Sequence, residues 1–143
     1  VDDVLLGTSG VTPADVAAVA RGAIVDARAV IERLAAGTTP AYGVSTGFGA
    51  LASRHISPEL RAQLQRSLVR SHAAGMGPVV EIEVVRALMF LRLKTLASGR
   101  TGVRPVVVDT LAALLNAGIT PVVHEYGSLG CSGDLAPLAH VAL

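Results

Sequence analysis

The residues best able to do chemistry stand together near the end of the chain, in Tyr126-Gly127-Ser128-Leu129-Gly130-Cys131-Ser132-Gly133-Asp134-Leu135-Ala136-Pro137-Leu138-Ala139-His140. Glycines at every third position (Gly127, Gly130, Gly133) let the backbone bend tightly and approach atoms that a Cβ would strike. The amide nitrogen of Gly133, unhindered by a side chain, is able to attack the carbonyl carbon of Cys131 and close a five-membered ring. Loss of water from that ring and from the Ser132 side chain leaves a methylidene carbon conjugated to an imidazolone. The product is an electrophile made from the chain itself, with no external cofactor.

The run Gly127 to His140 resembles the signature of the aromatic amino acid ammonia-lyases. In that family an Ala-Ser-Gly triad cyclises; here Cys131 stands first, and only its carbonyl enters the ring. The resemblance implies a protein-derived 4-methylidene-imidazol-5-one from Cys131-Ser132-Gly133, with Asp134 supporting its formation. A second stretch, Tyr42-Gly43-Val44-Ser45-Thr46-Gly47-Phe48-Gly49, is similar to the loop that supplies the family's catalytic tyrosine, which would make Tyr42 the base. The pair Ser71-His72 resembles that of the members acting on histidine, which implies that His72 helps hold a substrate imidazole. The implied reaction converts L-histidine to trans-urocanate and ammonia, the first step of histidine degradation. The same resemblance leaves phenylalanine or tyrosine ammonia-lyase, or an aminomutase, as alternatives. Family members are several times longer and form homotetramers with shared active sites. Residues 1–143 are therefore expected to be the N-terminal part of a single ammonia-lyase catalytic domain, truncated at its C-terminal end, with L-histidine and other copies of the chain as partners.

The residues also allow plainer readings. Tyr42 could anchor its loop by packing, and His72 could be a hydrogen-bonded helix-end histidine. A hydrolase or transferase could pair Cys131 with His124 or His140, but Gly130-Cys131-Ser132-Gly133 is not the Gly-x-Ser-x-Gly of a nucleophile elbow. The spacings of His124, Cys131, Asp134 and His140 match no zinc pattern, so no metal is expected. A third class is a non-enzymatic fragment that only packs against partner chains.

The elements that must position these residues read as helices. Thr12-Pro13-Ala14-Asp15 opens the first, with Thr12 as cap, Pro13 at the first helical position and Asp15 in capping-box place. Val16, Val19, Ala20, Ala23, Ile24, Ala27, Val30, Ile31 and Leu34 recur at helical steps and predict one buried face ending near Gly37. Residues 38–57 form a long glycine-rich loop, functional rather than disordered because Tyr42 and Phe48 lie in it. It is neither a P-loop nor a dinucleotide-binding turn, and His55 on its exit reads as surface.

Ser57-Pro58 opens a second helix with the stripe Leu60, Leu64 and Leu68, terminated at Gly75. A third is expected from Pro78 to Ser98, with Val80, Val84, Val85, Leu88, Met89, Leu91 and Leu96 apolar. A fourth runs from Pro105 to Gly118 with Val108, Leu111, Ala112 and Leu115. The last begins at or just after Asp134, its N-terminal amides aimed at Ser132 and Gly133, where they would polarise an imidazolone oxygen. Alternation is short everywhere, Ile119 to Val123 being the best strand candidate despite Pro121. The fold class expected is all-α, the helical N-terminal portion of a larger lyase with long glycine-rich active-site loops.

Composition bounds the partners. A formal charge of +1 offers no field for nucleic acid or an anionic membrane. Charged residues make up 16% where about 25% is usual, so much of the surface is expected to meet other protein. The chain closes inside an apolar run, His140-Val141-Ala142-Leu143, which reads as part of a larger polypeptide. One cysteine favours a reducing compartment, and no basic n-region precedes an apolar core. The uncharged stretch 34–53 holds four glycines, a proline and five Ser/Thr residues, which argues against a membrane helix. A soluble, cytoplasmic protein is expected.

Overall fold

The computed structural model describes the backbone of residues 13–130 and 135–143, with side chains from residue 21 onward. The expectations for Thr12, Asp15, Val16, Val19, Ala20, Cys131, Ser132, Gly133 and Asp134 lie outside what is described. Among the described residues five α-helices dominate: α1 (Pro13–Ala36), α2 (Pro58–His72), α3 (Ile82–Ala97), α4 (Pro105–Asn116) and α5 (Leu135–Ala142). Two short strands, β1 (Met76–Val79) and β2 (His124–Tyr126), pair antiparallel. The helical class read from the sequence holds, with this small ladder added to it. Backbone packing groups the chain into two compact units, one of α1 up to Arg33 with Ile82–Thr120, the other of Leu34–Glu81 with Pro121–Leu143.

In the first unit α3 packs on α4. Val85, Met89, Leu93 and Ala97 follow each other at four-residue steps and are buried, Met89 and Leu93 completely. They are matched from α4 by Val108, Leu111, Ala112 and Leu115, as its periodicity predicts. The stripe expected of α3 needs correcting: Val84 and Leu91 are exposed, and Leu93 is the core residue that alternation of valines and leucines concealed. Arg86 closes the α4 end by donating to the Leu115 carbonyl at 2.9 Å. The turn after α3 passes close to α1: Gly102 has φ +65, and a Cβ there would strike the Ile31 side chain. Of the α1 face expected to be buried, Ile24 is, whereas Val30 and Leu34 are exposed. Periodicity reveals which residues share a face of a helix, not whether something covers it.

The second unit packs α2 on α5 and holds the β1–β2 ladder. Ser57 has the extended N-cap backbone expected of it, but its hydroxyl makes no capping bond to the helix. The Glu59 carboxyl lies below its usual range chiefly because its own backbone amide donates to it, with the Ser57 hydroxyl and Arg61 adding to the effect. Helix α2 ends at His72 with Ala73 as cap, earlier than Gly75, and Leu60 on its expected stripe is exposed. Pro78 opens no helix; it lies in β1, and α3 begins at Ile82. The ladder explains this, because Met76 pairs with Tyr126 and Val79 with His124, and the irregularity between them takes in Gly77 and Pro78. Val80 N–H then donates to the Val123 carbonyl at 2.9 Å, placing β2 just beyond the stretch favoured from sequence.

Candidate active site

All the described candidate residues fall in the second unit. The long loop is tightly organised. Val44 and Ser45 amides both donate to the Ala41 carbonyl, at 3.0 and 2.9 Å, closing a turn around Tyr42. Ser45 and Thr46, 0% and 2% exposed, lie beneath it. Their hydroxyls grip the backbone on either side of the tyrosine: Ser45 Oγ accepts the Ala41 N–H at 2.9 Å, and Thr46 Oγ1 accepts the Gly43 N–H at 3.3 Å. Thr46 Oγ1 in turn donates to the Gly47 carbonyl at 3.1 Å, so neither buried hydroxyl lacks a partner. A bridge between Thr46 and His55 and the bond from Ile56 N–H to Ser45 O at 2.9 Å tie the loop's two halves. His55 is exposed, as expected.

Tyr42 is thereby held with 64% of its surface exposed. Its ring meets Phe48 edge-on, centroids 5.8 Å apart at 79°, and its Oη accepts the Gly49 N–H at 3.3 Å. Both the anchor and the chemical handle are therefore present in one side chain. The bond fixes where the hydroxyl stands, and the exposed ring leaves it open to a substrate, as a general base requires. Sequence reading singled out Tyr42 but passed over Ser45 and Thr46; short hydroxyl side chains between glycines are turn formers, and that signal was available.

His72 closes α2. Ser71 Oγ donates to the Leu68 carbonyl at 3.0 Å, and His72 Nδ1 lies 2.9 Å from the same carbonyl and 3.0 Å from Ser71 Oγ. Acceptors on that side assign the ring proton to Nδ1 and leave the Nε2 lone pair for another donor. The half-buried ring lines an apolar recess of about 210 Å³ formed with Leu68, Val69, Leu135, Leu138, Ala139 and Ala142. Leu135 is the first residue of α5, so the fold brings His72 to the helix that follows the Cys131-Ser132-Gly133 triad. Tyr42 does not line this recess.

The triad and Asp134 lie outside the described residues, but their flanks suit a cyclising segment. Gly130 enters with φ +65, a left-handed turn that glycine adopts freely, and α5 begins directly after Asp134. The two remaining histidines of this unit sit together. The His124 and His140 rings are 5.5 Å apart at 65°, His140 Nε2 lies 2.9 Å from Gly75 N, and His124 Nδ1 lies 2.9 Å from Gly77 O. Among the described residues no group of three or more His, Cys, Asp or Glu could hold a metal ion. No helix among them is long and apolar enough to cross a membrane.

A helical chain with a glycine-flanked Cys-Ser-Gly, a clamped tyrosine loop and a helix-end histidine finds its counterparts among known proteins. The family model for aromatic amino acid lyases matches residues 1–143, and the chain belongs to that family. It is 70% identical over 152 aligned positions to the histidine ammonia-lyase of Streptomyces avermitilis, covering 98% of this chain and 30% of that enzyme. It is 49% identical to a tyrosine ammonia-lyase of Cupriavidus metallidurans, over 92% of this chain and 27% of that one. Among solved structures, the ergothioneine-degrading ergothionase of Treponema denticola superposes with a TM-score of 0.83 at 31% identity, over 87% of this chain and 25% of that one. The chain thus spans less than a third of the length of these relatives.

Proposed function

We propose that this chain supplies the electrophile-forming and base-bearing segments of an ammonia-lyase that converts L-histidine to trans-urocanate and ammonia. The observation that carries this reading is the 70% identity to a Streptomyces histidine ammonia-lyase across nearly the whole chain, a span that takes in Tyr42, His72 and Cys131-Ser132-Gly133. The family works with a methylidene-imidazolone group. Formed here from Cys131, Ser132 and Gly133, that group would supply an electron-poor carbon that makes elimination of ammonia possible.

The chain's own side chains do the rest. Tyr42 Oη, held by the Gly49 N–H, takes the substrate's β-proton. The electron pair left on the β-carbon forms the α,β double bond as the C–N bond breaks and ammonia departs. His72 presents its Nε2 lone pair to an imidazole N–H, with Leu135 and Leu138 offering an apolar wall to the ring. Asp134, immediately before α5, supports ring formation. Exposed apolar side chains such as Val25, Val84 and Leu91 support burial against further protein, including other copies of the chain in a homotetramer.

The test places this chain in a polypeptide of full family length and compares L-histidine, L-tyrosine and L-phenylalanine as substrates. Urocanate release should dominate, and Ser132→Ala, which has no hydroxyl to eliminate, should lose several orders of magnitude in kcat and the imidazolone absorbance together. Preferential turnover of tyrosine, or a fully active Ser132→Ala, refutes the reading.

A further inference from the structure

The histidines outside the proposed chemistry are not idle in the fold. His140 lies in the last turn of α5, and Gly75 lies three residues beyond His72, so a bond between them crosses 65 residues of sequence. Gly75 N–H donates to His140 Nε2 at 2.9 Å, which requires an unprotonated Nε2 and puts the ring proton on Nδ1. The contact is built closely. A Cβ on Gly75 would lie 2.8 Å from His140 Nε2 and 3.2 Å from His124 Cβ. A Cβ on Gly127 would lie 3.0 Å from Ala136 Cβ, in the first turn of α5, and 3.1 Å from Gly75 Cα. Gly75 is therefore a glycine because three neighbours meet at its backbone, which explains its place better than ending α2, as the helix stops at His72.

His124 buttresses this arrangement from β2. Its Nδ1–H donates to the Gly77 carbonyl at 2.9 Å, beside the β1–β2 ladder, and its ring meets the His140 ring at 65°. The short segment from His72 to Gly77 is thus held at one end by α2 and beyond it by two histidines. Without the His140 bond, the Gly75 amide loses its partner and α5 loses its polar link to the segment that carries His72. The recess wall made by Leu135, Leu138 and Ala139 and the His72 ring would then be free to shift against each other.

We infer that His140 is a positioning residue for substrate binding: its neutral Nε2 ties Gly75, and through it His72, to the helix that follows the Cys131-Ser132-Gly133 triad. This rests on the proposed histidine ammonia-lyase reaction, in which His72 meets the substrate imidazole. Because His72 is concerned with binding and Tyr42 with proton removal, loss of His140 should act on KM more than on kcat. Misaligning one hydrogen bond to the substrate weakens ground-state and transition-state binding alike, so a KM rise of about tenfold is the expected size.

The experiment uses a polypeptide of full family length carrying His140→Leu, His140→Gln or Gly75→Ala. Urocanate kinetics, imidazolone absorbance and amide exchange at residues 73–77 are read for each. His140→Leu should raise KM for histidine about tenfold, change kcat less than about threefold, keep the absorbance and speed exchange at Gly75. His140→Gln retains an acceptor and should recover much of the lost affinity and protection. Gly75→Ala keeps the amide but drives a Cβ against Nε2, and should raise KM as His140→Leu does. An active parent whose KM is unmoved in His140→Leu and Gly75→Ala overturns the proposal alone, and so does a Gln variant no better than Leu. A parent inactive on histidine overturns the proposed function and this inference with it. If His140→Leu fails to fold, the Gln and Gly75→Ala variants decide.

Discussion

Replacing Tyr42 with phenylalanine separates its packing from its proposed role as base, because each depends on a different part of the side chain. The ring stands edge-on to Phe48 at 5.8 Å, and phenylalanine keeps that contact. The hydroxyl accepts one N–H, from Gly49 at 3.3 Å, at a residue 64% exposed. A neutral hydrogen bond is worth about 0.5–1.5 kcal/mol net, and here water reaches the freed amide, so the lower end applies. The melting temperature should fall by no more than a few degrees. Proton removal is another matter. A positioned general base contributes about 10²–10⁴-fold, or roughly 2.7–5.4 kcal/mol of barrier. Measured in a polypeptide of full family length, kcat for urocanate release should drop by that factor, with KM and imidazolone absorbance close to the parent. The anchor reading predicts almost no kinetic change. A fall of less than about tenfold, worth ~1.4 kcal/mol, would remove Tyr42 from the role of base.

Cys131→Ala should leave urocanate release nearly unchanged, since only the backbone carbonyl of that position enters the ring; a dead variant would point instead to a thiol mechanism. Thr46→Val deletes the hydroxyl that accepts from Gly43 and donates to Gly47 while keeping its buried shape. Orphaning those two backbone groups should cost about 1–3 kcal/mol in denaturant unfolding and lower kcat by loosening Tyr42, with Thr46→Ser restoring both; equal stability of the valine variant would show that the hydroxyl does not hold the loop.

Much of this protein is written locally. The proposed cyclisation uses three consecutive residues, Cys131, Ser132 and Gly133, so their order and glycine spacing suffice to suggest it before any fold is known. Helices α1, α2 and α4 begin at Pro13, Pro58 and Pro105 as read from sequence, because a proline at the first turn and the apolar period act within a few residues. Met89 and the α4 leucines were identifiable as core for the same reason.

What the sequence left open depended on residues far apart along the chain. Pro78 reads as a helix opener until Tyr126 and His124 arrive to pair with Met76 and Val79. Val30 and Leu34 lie on an apolar stripe yet remain exposed, since burial needs a neighbour that periodicity does not name. Ser45 and Thr46 look like surface hydroxyls until the loop folds over them and supplies two amides and a carbonyl. His72 reaches the α5 recess, and His140 reaches Gly75, only through the packing of α2 on α5. Sequence alone suggested the proposed cyclising triad and determined most helix starts, because covalent neighbours and helical hydrogen bonds act over a few residues. Tertiary structure decided which side chains are buried and which histidine holds which backbone amide, because those bonds form between segments that meet only when the chain has folded.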